Sequence, residues 1–174
     1  MHMQETNLYT ITIPGMIKAL ESLSKLLDKA ENHAGGKKTD VEHLLNDRLV
    51  FDQFPFVRQV QIACDNAKSV AAKLAEIENP KHEDTEKTIP ELKARIEKTI
   101  AFLKSIKPSQ IIGKENIKIP FQFAPGKYLT GFEHATEYII PNFYFHMTTA
   151  YSILRKNGVD IGKTDYINLS LKDL

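Results

Sequence analysis

Apolar residues at Met16, Leu20, Leu23, Leu27, Ala30 and Ala34 recur at alternating steps of four and three, which places them on one stripe of a helix. Pro14 suits a first-turn position and Gly35-Gly36 supplies a stop, so the spacing predicts a first long helix from Pro14 to Ala34. Thr39-Asp40-Val41-Glu42 has the form of a capping box and opens a short connector helix to about Asp47. Val57, Val60, Cys64, Ala67, Ala71 and Leu74 form a second stripe, of mostly small residues, on a helix predicted from Pro55 to Glu78. Small residues let a neighbouring helix approach closely.

Thr88-Ile89-Pro90-Glu91 is a second capping box with proline in the first turn, and it opens a third helix striped by Leu92, Ile96, Thr99, Leu103 and Ile106. From Ser109 to Gly131 the helical period disappears. Ile117-Lys118-Ile119 and Phe121-Gln122-Phe123 alternate around Pro120, and Ala124-Pro125-Gly126 is a turn signal, which together predict a small hairpin or extended excursion. A short helix over Phe132–Ile139 precedes a fourth long helix from Pro141 to Asn157, closed by Gly158. The pattern defines an all-α fold, a four-helix bundle with Leu23, Leu27, Val60, Cys64, Ala67, Leu103 and Leu154 in one core.

Composition narrows the function. The 174 residues suit one domain spanning 1–174, and 42% hydrophobic with 26% charged residues is ordinary for a globular chain. The 23 basic and 22 acidic residues nearly cancel and are interspersed, which argues against nucleic-acid and membrane partners. One cysteine forms no internal disulfide, and no apolar run reaches ~18 residues, so a soluble cytoplasmic protein is expected.

The segments LLDKAENHA, RLVFDQFPFVRQVQIACDNAK, PNFYFHMTTAYSILRKNG and GKTDY resemble an uncharacterised bacterial family of unknown function in the DinB/YfiT-like four-helix-bundle superfamily. The resemblance spans nearly the whole chain. It implies a DinB-like bundle, and many superfamily members hold a divalent metal through one histidine on the second helix and two on the fourth. Carried over by position, those ligands fall at or near Gln61 and on Asn142 and His146, so His146 is the one ligand retained. Neutral amide oxygens bind zinc weakly, and no tightly held metal or other cofactor is expected.

Asn142 and His146, four residues apart, share a helix face that Thr149 and Ile153 continue. If buried there, they either line a pocket or form a polar network with the second helix. Convergence of Gln61, Asn142 and His146 is the expectation that the lost metal site carries. Around the start of the second helix, Arg48, Asp52, Arg58 and Gln59 either hold an anionic group or serve capping and ion pairing by Asp52. Cys64 is expected to be a buried, inert thiol, and His33, His43, His82 and His134 to be solvated or capping residues. The leading expectation is a small-molecule site on the polar face between the second and fourth helices, with Gln61, Asn142, His146, Arg58 and Gln59 as candidates. A divalent-metal-dependent transferase or hydrolase, with Glu133 or Glu137 joining His146, is the first alternative, and a structural or interaction protein acting as a homodimer is the second.

Overall fold

The computed structural model describes residues 6–37, 41–121 and 123–169. Helix α1 (Leu8–Lys37) is followed by α2 (Val41–Asn46), α3 (Phe56–Leu74), α4 (Ile89–Ser105) and the single turn α5 (Pro108–Ile111). A hairpin of β1 (Lys118–Pro120) and β2 (Tyr128–Thr130) leads into α6 (Gly131–Glu133), a π-helical turn over His134–Ile139, α7 (Ile140–Lys156) and α8 (Lys163–Ile167). The long helices form a ring in which α1 packs on α4, α4 on α3, α3 on α7, and α7 back on α1. One cluster of buried side chains fills this ring, and it contains all seven expected core residues, each 0% exposed. Ala67 leaves no room for a longer side chain, so Ala67→Leu is expected to lower stability by about 1–3 kcal/mol, read as a shift in urea midpoint.

Local chemistry explains most boundaries. The Thr88 hydroxyl accepts from the Glu91 N–H while the Glu91 carboxylate accepts from Thr88 N–H, which completes the predicted capping box. Gly158 takes a left-handed φ of 79° and closes α7. The hairpin pairs Lys118 with Thr130, Ile119 with Leu129 and Pro120 with Tyr128, a two-stranded sheet in which the proline's missing donor costs no ladder bond.

The first helix departs from expectation at both ends. It begins at Leu8, so Pro14 lies inside it, and it continues through Gly35-Gly36 to Lys37. Its start is fixed by reciprocal capping, with the Thr10 N–H donating to Asn7 Oδ1 at 3.1 Å and the Asn7 N–H donating to Thr10 Oγ1 at 2.9 Å. Burial of Leu8 and Ile13, 1% and 0% exposed, outweighs the one rung that Pro14 removes. The capping box expected at Thr39 to Glu42 rests on residues outside those described. After α7, the segment with the GKTDY motif forms α8 against α1, where Lys29 Nζ meets Asp165 Oδ1 at 2.8 Å.

Candidate functional site

Helix α3 is buried on several faces, and two of them are polar. Gln59, Asn66 and Lys73 recur every seven residues, which keeps them on one side of the helix. Each meets a partner on the chain of α7 and the π-turn. His146 Nδ1 lies 2.6 Å from Gln59 Oε1, Asn142 Nδ2 lies 3.3 Å from Asn66 Oδ1, and Lys73 Nζ lies 3.5 Å from His134 Nε2. These three rungs form a polar seam between α3 and α7.

The first rung is fully specified. Gln59 Nε2 donates to the Phe54 carbonyl at 2.9 Å, so Oε1 faces His146 as an acceptor and the His146 proton sits on Nδ1. Burial, with the Arg58 charge nearby, pushes the His146 pKa below the ordinary imidazole value. The second rung is incomplete: Asn66 is 8% exposed, and its Nδ2 is buried with no hydrogen-bond partner among the described residues. The third rung holds the most deeply buried histidine. His134 is 0% exposed, and burial, followed by the Lys73 charge, pushes its pKa down to about 4. Burial also lowers the Lys73 ammonium from its usual value.

A cavity of about 650 Å³ opens beside the second and third rungs. Asn66, Ser69 and Lys73 of α3 form its polar wall, and Ile119, Phe121 and Tyr138 from the hairpin and π-turn face them. Phe121 packs edge-on against Tyr138, with centroids 5.2 Å apart, and the Lys73 ammonium lies 5.7 Å from the Phe121 centroid. The hairpin, read from the sequence only as an excursion, is therefore a wall of the site.

Gln61 does not converge with Asn142 and His146. Two residues from Gln59, it points to the other polar face, where its Oε1 accepts from Arg58 at 3.2 Å and its Nε2 donates to Glu86 at 2.9 Å. This second network is centred on Arg95, whose guanidinium reaches Asp65, Asp84 and Glu86 at 2.8, 3.0 and 3.0 Å. Burial would raise the Glu86 carboxyl, but its hydrogen bonds to backbone, Arg95 and Gln61 outweigh that and hold it below the usual range. Arg58 is ion-paired to Asp84. Arg48 donates to the Gln53 carbonyl, Asp52 is exposed, and α3 starts at Phe56 after Pro55, which supplies no side-chain cap, so these residues do not assemble an anion cradle.

His134 corrects the expectation of a solvated or capping role, because the π-turn carries it into the interior. Cys64 is buried, and desolvation pushes its thiol up to about 12, as expected of an inert cysteine. Glu133 caps its own helix by accepting from Thr130 N–H and Oγ1, both at 2.8 Å, and Glu137 is exposed. Among the described residues no three His, Cys, Asp or Glu side chains converge with metal-ligating geometry, so the superfamily's metal does not fit this donor set.

Because His134 stays neutral in the folded chain, its contribution to stability is complete above pH ~6.5 and is lost as pH falls toward about 4, where only the unfolded chain has gained the proton. The loss over that window is expected to be roughly 2–3 kcal/mol from His134, and His134→Leu should flatten it. Urea midpoints measured at intervals across the window check this.

The ring of α1, α4, α3 and α7 with a polar seam between α3 and α7 defines an all-α bundle of the DinB-like class. A family model described as Domain of unknown function (DUF1993) matches residues 8–167, and the chain belongs to that family. The fold is similar to a crystal structure of a DinB family member protein from Shewanella denitrificans, with 45% sequence identity, a TM-score of 0.92, and coverage of 96% of this chain and 95% of that one. No curated protein matches the chain. Among the described residues no helix is long and apolar enough to cross a membrane.

Proposed function

We propose that this DinB-like protein binds a small organic molecule in the cavity at the end of the α3–α7 seam, without a tightly held metal. The observation that carries this reading is the Asn66 amide, buried and unpartnered at the wall of a cavity of about 650 Å³. A buried donor left unsatisfied costs about 1–3 kcal/mol, a cost recovered when a ligand oxygen accepts its N–H. The volume lies within the range of small-molecule sites, and the facing aromatic wall suits an apolar body. Asn142 engages the Asn66 carbonyl oxygen, which leaves Nδ2 as the free end of that amide.

Titration of octanamide and 4-phenylbutanamide, followed through the Asn66 side-chain amide resonances, tests the reading. Saturable shifts are expected, and Asn66→Leu should abolish binding while leaving the fold at least as stable, because an unpaired polar group is removed. Asn66 resonances that stay still with both probes would overturn it.

A further inference from the structure

Three charged side chains besides Lys73 line the cavity, Asp65, Glu76 and Lys118, and each is engaged elsewhere. Asp65 is paired with Arg95 at 2.8 Å and Lys68 at 3.2 Å, and Glu76 is paired with Lys114. Lys118 turns onto the Tyr128 ring, 4.8 Å from its centroid. Among the described residues Lys73 has no carboxylate partner, and its polar contact is His134, itself neutral and buried. Lys118 is turned toward a ring outside the lining, which leaves Lys73 as the ammonium that faces the cavity without a carboxylate beside it.

His134 explains why that charge stays at the wall. A lysine ammonium has three donors and no acceptor, so His134 Nε2 must accept and its proton must reside on Nδ1. Nδ1 is buried with no partner among the described residues, an arrangement that costs stability, while Nε2 faces Lys73 Nζ beside the Phe121 ring. Lys73 is exposed at the cavity edge, and its ammonium lies between His134 Nε2 at 3.5 Å and the Phe121 ring.

We infer that the ligand is an organic monocarboxylate, its carboxylate seated on Lys73 and its apolar body lying along Ile119, Phe121 and Tyr138 toward the Asn66 amide. With Lys118 turned onto the Tyr128 ring, one lysine is left to face the ligand, and with no arginine among the lining groups this matches a single negative charge better than a phosphate dianion. Asn66 and Lys73 are two turns apart, about 10 Å along the axis, so the ligand is elongated and meets Asn66 with a second acceptor. This inference rests on the cavity reading above and adds the charge and shape of the ligand.

Calorimetric titration of the full chain with octanoate and 4-phenylbutanoate, beside octanamide and 4-phenylbutanamide, separates the two. The acids are expected to bind about tenfold more tightly than the amides, with the advantage shrinking as salt is raised. Lys73→Met, which keeps the apolar stem, should erase that advantage, so that acids and amides bind the variant alike. His134→Leu, acting through the lysine's position, should reduce the advantage in part. Acids that bind no better than amides, or an advantage that survives Lys73→Met, would overturn the carboxylate assignment and leave the cavity reading standing. Inorganic phosphate that competes with octanoate as well as acetate does would overturn the monoanion preference. Failure of acids and amides alike to bind wild-type protein would remove the site itself and this inference with it.

Discussion

Replacing Arg95 by methionine is expected to lower stability by about 3–5 kcal/mol, because it removes the buried cation that Asp65, Asp84 and Glu86 share. The side chain is 1% exposed and faces three carboxylates, while its Nη1 also donates to the Glu83 carbonyl at 3.1 Å. Asp65 and Asp84 are about two-fifths exposed and retain much of their hydration, so the cost concentrates on Glu86, whose side chain is 11% exposed. Methionine preserves the buried stem, so the loss reports charge and hydrogen bonds rather than volume. The segment between α3 and α4 is held by these contacts and by the bond from Lys68 Nζ to the Pro80 carbonyl at 2.8 Å. Its amides should exchange faster in Arg95→Met. Adding Glu86→Gln should recover part of the stability, since it removes the stranded charge. A midpoint unchanged in the single variant would show that water already solvates this network.

Gly131→Ala is expected to cost about 3 kcal/mol, through overpacking against groups that have nowhere to go. A Cβ there would lie 2.1 Å from the Lys114 carbonyl oxygen and 3.2 Å from both Ile117 Cγ1 and Leu74 Cδ2. A backbone carbonyl cannot rotate aside as a side chain does, and the two segments are also joined by the bond from Phe132 N–H to the Glu115 carbonyl at 3.0 Å. The strain falls on the strand that carries Ile119, so the cavity wall should shift as well. Weaker octanamide binding is expected together with a lower melting temperature. A variant with wild-type melting would show that the chain before β1 yields freely.

The parts legible in the sequence were those written in local chemistry. Thr88 and Glu91 sit three apart because a helix start needs that reciprocity, and Gly158 stands where the backbone turns left-handed. Pro14 misled because its fit to a first turn is a preference of the isolated chain, whereas burial of Leu8 and Ile13 decides where α1 begins. Gln61 misled for a different reason: α3 contacts α1, α4 and α7, so one apolar stripe does not say which polar neighbour faces which helix. The recurrence of Gln59, Asn66 and Lys73 at seven-residue steps was present in the chain and would have found the seam. His134 was beyond that signal, since a count of 3.6 residues per turn places it wrongly across the π-turn.

That turn sets the geometry of the site by length rather than by residue type. In it the Ile140 N–H reaches the Ala135 carbonyl five residues back, so the segment behaves as an α-helix carrying one inserted residue. Deleting one exposed position, Glu137 for example, would restore the shorter ring and swing everything before it by about 100° around the axis of α7. Each remaining side chain would keep its identity, yet His134 would leave Lys73 and the hairpin would be carried off the cavity. Loss of a single codon there would therefore undo the third rung as completely as substituting the histidine, and two family members alike at every aligned site residue would differ in binding if only one carried the insertion.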